Sequence, residues 1–320
     1  MISREVPAPP ISRLTGLEVV AAEPGSATFQ MPLTGWFCSP QGTISIGPLA
    51  MAADAAVACA IQTELPPGTP FSTSELSLRL LAPVHAEGTL TARGQLIGVR
   101  RTIGLADVSL TDSRGELVAH GSSLCLLARR LDRGALRTAS TAPRDGARTD
   151  PTSPDPYERP VQGQPIEVEL WTRMAGIELL RAQLAGELPK PPIHYLTGID
   201  LSGVDQRGVR CTMPASEWLC APARGRVQGG AVALMADTAI DCAIQALLPA
   251  GAPAAMLDLK VNYVRPLPAD GRPASSAGHL VHLGRKVAVG VAEVLDADSN
   301  AVAYATGSAM LLPPTDEPAA

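Results

Sequence analysis

Aromatic residues and cysteine motifs are both scarce in this 320-residue chain. Phe, Trp and Tyr make up 3% of it, so the hydrophobic cores must be built mainly from small aliphatic side chains. The six cysteines show no CxxC spacing, and no histidine lies at metal-ligand spacing from any of them. We therefore predict scattered buried thiols, with no metal site and no redox cofactor, as is typical of a cytoplasmic protein.

Positive charge is also in short supply. Lys and Arg number 26 against 31 Asp and Glu, a formal net charge of −5, which argues against a nucleic-acid-binding protein. The N-terminal sequence MISREVPAPP lacks the apolar run of a signal peptide. The most apolar stretches carry Asp54, Asp237 and Asp241 near their middles, where a membrane span would not place acids without a functional reason. We expect a soluble cytoplasmic protein.

What the chain does contain is an internal repeat. The segments Pro9–Ile11 and Leu14–Gly16 recur 182 residues later as Pro191–Ile193 and Leu196–Gly198. The register continues with few gaps through both copies. The offset is 183 between Asp54 and Asp237, and 184 between Arg101 and Arg285. Such self-similarity indicates two units of the same fold.

Each copy predicts one long helix followed by an antiparallel meander. Ala-rich apolar runs of helical length cover 46–63 and 229–247, and a Pro/Gly break follows each. Strand patterns follow near 74–82, 89–98, 102–111 and 116–127 in copy one, and near 256–265, 274–283, 286–295 and 301–312 in copy two. This order of elements predicts an α+β fold.

The repeat also divides the chain. We predict a first unit over 1–128, a linker over 129–165 that is rich in Pro and Arg, and a second unit over 166–320. The second unit opens with an added segment, 166–186, whose apolar residues recur at helical spacing. This segment is predicted to form one additional helix.

A motif in copy two carries a resemblance to a known family. Gln228-Gly229-Gly230 is followed by an apolar spacer, then Asp237, and later a strand that ends at Arg265-Pro266. This resembles the PaaI-like branch of the hotdog-fold acyl-CoA thioesterases, whose signature is His-Gly-Gly, an acid on the central helix and a strand ending in Arg-Pro. The resemblance implies two tandem hotdog units, each a long central helix wrapped by an antiparallel sheet. It implies no cofactor besides the coenzyme A of the substrate.

This sequence departs from the family signature in both copies. Gln228 stands where the family has histidine, and in copy one the His-Gly-Gly position aligns with Ile46-Gly47-Pro48. Gly229 and Asp237 are separated by eight residues of helix, roughly 12 Å, which is too far to serve one reacting carbon. The family solves this by pairing antiparallel central helices, so that each acid faces the glycine turn of the other unit.

The resemblance therefore implies two composite sites in this chain. One combines Gln228, Gly229 and Gly230 with Asp54, and the other combines Gly47 with Asp237. Relatives often carry Ser or Thr ten residues before the proline of the Arg-Pro strand. That position is Thr73 in copy one, and we assign Thr73 to the Asp54 site.

The second site is predicted to have decayed. In copy two the position of Thr73 is Met256, which has no hydroxyl. Its glycine turn contains Ile46 and Pro48, and proline removes a backbone N–H donor. For Asp237 we expect a structural hydrogen bond or an interface contact rather than catalysis. For Asp54 we expect a catalytic role, and a structural hydrogen bond or an interface contact is the alternative.

Four arginines are candidates for binding the phosphates of the substrate. Arg101 and Arg285 lie in strand-turn regions where relatives meet coenzyme A, and Arg224 and Arg226 flank the glycine turn. Solvated surface charge is the alternative. The resulting prediction is a hydrolase that acts on an acyl-CoA or acyl-carrier-protein thioester, assembled as a homodimer of double hotdogs. The alternative is a non-catalytic hotdog protein that binds acyl-CoA or acts as a partner scaffold.

Overall fold

The computed structural model describes residues 8–127, 159–205, 208–221 and 225–312. Within these residues, twelve strands form one continuous antiparallel sheet. The first unit contains α1 (Pro10–Thr15), β1 (Glu18–Glu23), β2 (Ser26–Pro32), α2 (Ile46–Gln62), β3 (Phe71–Leu80), β4 (Thr89–Arg100), β5 (Ile103–Thr111) and β6 (Leu117–Leu127).

The second unit repeats this order after two short helices. These are α3 (Val168–Arg173) and α4 (Gly176–Leu184). The repeated elements are α5 (Pro192–Thr197), β7 (Asp200–Asp205), β8 (Gly208–Pro214), α6 (Gly229–Gln245), β9 (Ala254–Tyr263), β10 (Pro273–Leu283), β11 (Val287–Leu295) and β12 (Ala301–Leu311). Each long helix with its six strands is the arrangement expected of a hotdog unit, so the predicted fold is confirmed.

The two units join into one sheet where β3 of the first unit pairs with β9 of the second. β3 pairs with β9 in antiparallel register, with Leu76 opposite Val261 and Leu78 opposite Leu259. The strand order β1-β2-β4-β5-β6-β3-β9-β12-β11-β10-β8-β7 therefore has the symmetry of the repeat. One hydrophobic core runs through both units.

The central helices α2 and α6 follow the predicted spans to within two residues. Each has 17 residues, most of them buried and many of them alanine. Small side chains allow a helix to approach the sheet and the other helix closely. Glycine allows the closest approach: a Cβ on Gly47 would lie 2.8 Å from the Cα of Leu234, and one on Gly230 would lie 2.4 Å from the Cα of Met51. The two helices are therefore in direct contact over their N-terminal halves.

The added segment 166–186 does not form the single predicted helix. It breaks at Met174-Ala175 into α3 and α4, because the carboxylate of Glu178 accepts a hydrogen bond from the Ala175 N–H and starts a new helix there. Gly176 packs so tightly that a Cβ would lie 1.8 Å from the carbonyl oxygen of Gln245. Val168, an apolar residue at the start of this segment, is 72% exposed.

The predicted linker lies largely outside the described residues. Its last residues, from 159 onward, have no regular structure but contact the first unit. The guanidinium of Arg159 lies 4.8 Å from the ring centroid of Trp36, and the N–H of Ile166 donates to the carbonyl of Pro40 at 2.9 Å. The division of the chain at 128 and 165 stays a prediction.

Helices in the described part of the chain are too short or too polar to cross a membrane. The longest, α2 and α6, have 17 residues each. Asp54 and Asp237 are accommodated inside the protein, where each carboxylate meets the N-terminus of the other helix. The fold therefore explains why acids stand in the middle of the most apolar stretches.

Candidate active site

The crossing of α2 and α6 brings Asp54 to the N-terminus of α6. The Asp54 side chain is almost fully buried, with 5% of its surface exposed. Its Oδ2 accepts a hydrogen bond from the Gly230 N–H at 3.3 Å, and its Oδ1 accepts one from the Thr73 hydroxyl at 2.8 Å. A Cβ on Gly229 would lie 3.1 Å from Oδ2, so glycine keeps the space beside the carboxylate open. The predicted set Asp54, Thr73, Gly229 and Gly230 is thus brought together.

Gln228 completes this group of residues from the position that precedes α6. Its Nε2 donates to the carbonyl oxygen of Met51 on α2 at 2.9 Å, which fixes the amide in place. Its Oε1 is buried and has no hydrogen-bond partner among the described residues. A buried acceptor without a partner costs free energy, so Oε1 is suited to accept a hydrogen bond from a bound molecule.

Burial raises the pKa of the Asp54 carboxyl above its usual value. Hydrogen bonds from Thr73, Gly230 and Gly229, which favour the charged form, offset part of that effect. A carboxylate with a raised pKa is a stronger base than an exposed aspartate, because its proton affinity lies closer to that of the groups it deprotonates. The site therefore combines a base with backbone N–H donors at a helix N-terminus.

Tyr263 is a residue of this site that the sequence argument missed. Its hydroxyl donates to the carbonyl oxygen of Gly229 at 2.9 Å. A comparison of the two copies could have pointed to Tyr263. The equivalent position in copy one, 183 residues earlier, is Leu80, so the hydroxyl occurs in one copy and not in the other. The aromatic side chain looks like core packing until its hydrogen-bond partner is known.

The second pseudo-site is built around Asp237, which is completely buried. Its Oδ2 accepts the Gly47 N–H at 2.9 Å, which mirrors the pair of Asp54 and Gly230. The helix α2 begins at Ile46, and α6 begins at Gly229. The positions of Gln228, Gly229 and Gly230 are therefore occupied in copy one by Ser45, Ile46 and Gly47. The sequence alignment, which placed Ile46 opposite Gln228 and Pro48 opposite Gly230, is therefore wrong by one residue.

This correction removes one of the arguments for decay of the second site. Pro48 falls at the position of Ala231, so it does not remove the donor that faces Asp237. Two of the differences between the sites support decay. Met256 takes the place of Thr73, and the buried Ile46 takes the place of Gly229, where the first site is open. The decay of this site stays a prediction that now rests on these two residues.

Asp241 lies one helical turn after Asp237. Its Oδ2 accepts a hydrogen bond from the amide of Gln41 at 3.4 Å. Burial raises the pKa of Asp237 to about 6, an effect that the Ser45 hydroxyl and the Gly47 N–H only partly offset. Burial, and then the charge of Asp237, raise the pKa of Asp241 to about 7. The second site thus contains two carboxyls that hold their protons unusually strongly.

These two pKa values predict that the free energy of unfolding decreases as the pH rises from 4 to 7. Both groups bind protons more tightly in the folded chain than in the unfolded chain, so stability is highest below the unfolded pKa and is lost through this interval. We expect a decrease on the order of 2–4 kcal/mol. Urea unfolding at a series of pH values measures it.

Asn variants provide the control for this pH dependence. Asp237→Asn with Asp241→Asn should remove most of the slope between pH 4 and 7, and Asp54, whose pKa burial also raises, accounts for the remainder. Asp270→Asn should leave the slope unchanged, because the hydrogen bond from Arg272 holds the pKa of Asp270 below its usual range. A slope that is undiminished in the double variant would contradict the assignment to Asp237 and Asp241.

The candidate phosphate-binding arginines that the structure describes are Arg101, Arg226 and Arg285. Arg101 occupies the β4–β5 turn with a φ of 47° and lines a surface depression with Glu64 and Leu127. Arg285 lies in the β10–β11 turn, and Arg226 is exposed. Arg224 falls outside the described residues. No hydrogen bond or ion pair in the described ranges joins the other three to Asp54, so their roles stay predictions.

Comparison with known proteins agrees with this architecture. Residues 41–119 and 224–303, one segment in each unit, match the model of the thioesterase superfamily. The chain is similar to a conserved protein of unknown function with a hotdog fold from Alicyclobacillus acidocaldarius, with a TM-score of 0.59, 12% identity, and coverage of 95% of this chain and 98% of that one. A search of curated proteins found no match.

Two further solved structures share the same architecture. The tesB protein of Mycobacterium avium subs paratuberculosis has a TM-score of 0.57 at 11% identity, over 95% of this chain and 98% of that one. The acyl-CoA thioesterase II TesB2 of Mycobacterium marinum has a TM-score of 0.55 at 11% identity, over 97% and 99%. At such identities the likeness shows the fold, and it extends over both units.

The match to the family model and the fold together identify the family. The two matched segments include Asp54, Thr73 and the Gln228–Gly230 turn, which are the residues that converge in the structure. The assignment to the PaaI-like branch stays a prediction. The chain belongs to the thioesterase superfamily, as two hotdog units joined in one polypeptide.

Proposed function

We propose that this protein hydrolyses an acyl-CoA or acyl-carrier-protein thioester at the composite site of Asp54, Thr73, Gln228, Gly229 and Gly230. The observation that carries the proposal is the hydrogen bonding of Asp54 to the Thr73 hydroxyl of its own unit and to the Gly230 N–H of the other unit. A base and a backbone donor thereby face the same small space.

In the proposed reaction, Asp54 acts as the general base. Its carboxylate takes a proton from a water molecule that Thr73 and the free Oε1 of Gln228 orient. The water oxygen then bonds to the thioester carbon, and the negative charge that develops on the carbonyl oxygen is stabilised by backbone N–H groups at the start of α6. The carbon–sulfur bond breaks, and the departing thiolate receives the proton that Asp54 holds.

The experiment that tests this proposal is a panel of acyl-CoA thioesters with different chain lengths, with release of the free thiol as the readout. The same acyl groups on acyl-carrier protein distinguish the two classes of substrate. Cleavage that is saturable and lost in Asp54→Asn supports the proposal. Binding of coenzyme A esters without cleavage would instead favour the acyl-CoA-binding or scaffold function.

We also propose that the chain forms a homodimer through the outer face of its sheet. Each unit exposes an equivalent apolar cluster, and the two clusters are related by an offset of 184 residues. They consist of Ile97, Ile103 and Leu126 in the first unit, and Val281, Val287 and Met310 in the second. Exposed apolar residues at matching positions are typical of a surface that another copy covers.

Light scattering at micromolar concentration is expected to give twice the chain mass of 33.2 kDa. Val281→Lys with Met310→Lys should shift the particle toward the monomer, because a buried lysine in an apolar interface is costly. Val168→Lys, which changes an exposed residue on α3, is the control. A wild-type protein that is monomeric throughout this range would contradict the dimer.

A further inference from the structure

The peptide unit between Gly229 and Gly230 has a different partner at each end. The Tyr263 hydroxyl donates to the Gly229 carbonyl oxygen at 2.9 Å, and the Gly230 N–H donates to Oδ2 of Asp54 at 3.3 Å. A trans peptide is planar and holds its C=O and N–H in opposite directions. A hydrogen bond that fixes the carbonyl therefore also fixes the direction in which the N–H points.

This peptide needs such a restraint more than most. Both of its residues are glycine, which has the widest range of backbone conformations, and it lies in the first turn of α6, where the N–H groups have no intrahelical acceptor. Donation to the carbonyl also polarises the peptide and strengthens its N–H as a donor. Burial raises the pKa of Tyr263 well above its usual value, so the hydroxyl keeps the proton that it donates.

The other unit provides an internal comparison. Leu80 occupies the position of Tyr263 and has no hydroxyl, so no equivalent bond can form there. The residue before Gly47 is Ile46, whose branched side chain restricts the backbone by itself. The tyrosine thus occurs in the unit whose turn is made of two glycines.

We propose that Tyr263 is a positioning residue that holds the Gly229–Gly230 peptide so that the Gly230 N–H points at the Asp54 carboxylate and keeps this base oriented. This inference rests on the proposed thioester hydrolysis. Tyr263 acts through the peptide and touches neither the substrate nor the water. The hydroxyl is required for this role, while the aromatic ring serves the core.

The kinetic test is Tyr263→Phe, which removes the hydroxyl and keeps the ring. We expect kcat to decrease by about 10-fold, the scale of one hydrogen bond, because the Asp54 carboxylate is then held less well toward the attacking water. KM should change by less than about two-fold, since ground-state binding does not depend on this donor. Tyr304→Phe, which alters an exposed tyrosine on β12, is the matched control. If Tyr263→Phe does not fold, Tyr263→Leu replaces it, since leucine is the residue at the equivalent position of copy one.

A direct readout of the peptide is also possible, because Gly-Gly occurs only once in the sequence. Protein labelled with glycine that carries ¹³C at the carbonyl and ¹⁵N gives a single amide signal with a one-bond carbon–nitrogen coupling, that of Gly230. In Tyr263→Phe the Gly229 carbonyl carbon should move upfield, and the Gly230 amide proton should exchange faster with solvent. Tyr304→Phe should leave the signal unchanged.

The two readouts separate this proposal from the proposed function. An unchanged Gly229–Gly230 signal in Tyr263→Phe overturns the positioning role, whether or not kcat decreases. A changed signal with an unaltered kcat in an active enzyme also overturns it. A wild-type protein that cleaves no thioester ends the hydrolysis proposal and with it any role in positioning a catalytic base. A changed Gly229–Gly230 signal in Tyr263→Phe would then show only that Tyr263 holds this peptide.

Discussion

Asp54→Asn is expected to lower turnover of the best thioester substrate by about 10²-fold or more, the usual scale for loss of a general base. The substitution keeps the shape of the side chain but removes the carboxylate that Thr73 and Gly230 now contact. Steady-state thiol release measures the effect, and thermal unfolding shows whether the variant retains the fold.

The matched variant is Asp237→Asn in the second pseudo-site. It should leave turnover within a few-fold of the wild type, because that site has Met256 in place of the hydroxyl and Ile46 in place of the open glycine. Thr73→Val should give an intermediate loss of about 10-fold, since it misplaces the water without removing the base. Equal losses in Asp54→Asn and Asp237→Asn would mean that both sites work.

Gly94→Ala is expected to lower the free energy of unfolding by about 3 kcal/mol, near the upper end for overpacking of a core. Gly94 lies on β4 where the sheet meets the central helix, and a Cβ there would lie 2.3 Å from the carbonyl oxygen of Ala56 on α2. The helix must shift to admit the methyl group. Because Ala56 is two residues from Asp54, turnover should decrease as well.

Gly98→Ala on the same strand is the control for Gly94→Ala. A Cβ at Gly98 meets no heavy atom within 4 Å, and the residue does not have a positive φ, so its substitution should leave stability nearly unchanged. Thermal unfolding should separate the two variants by about 5–10 °C. Similar melting temperatures would show that β4 and α2 can move apart at little cost.

Much of the architecture could be predicted because it is written twice in the chain. The offset between the copies and the Ala-rich runs identified α2 and α6, and the alternating patterns identified β3 to β6 and β9 to β12. These signals are local, or are comparisons of the chain with itself, and need no knowledge of contacts. The spacing of Gly229 and Asp237 on one helix excluded that an acid serves its own helix start, and the resemblance to the family implied that it serves the other unit.

The strands β1 and β7 were not predicted, since they are short and their alternation is weak. The break between α3 and α4 was missed because it depends on docking of Gly176 against Gln245 as well as on the hydrogen bond of Glu178. A contact with a distant part of the chain thus helps to decide the helix break, whereas β1 and β7 each pair with the strand that directly follows.

The details of the site were decided by the tertiary structure. The resemblance to the family implied that Asp54 and Thr73 belong with the Gln228–Gly230 turn, and the repeat located these residues in the sequence. The sequence could not fix the register of the turn in copy one, where an inserted residue makes two alignments equally good. The register follows from where α2 begins and from the close approach of Gly47 to Leu234. The contact of Tyr263 with Gly229 likewise exists only because β9 folds back along the start of α6, bringing together residues that are 34 positions apart.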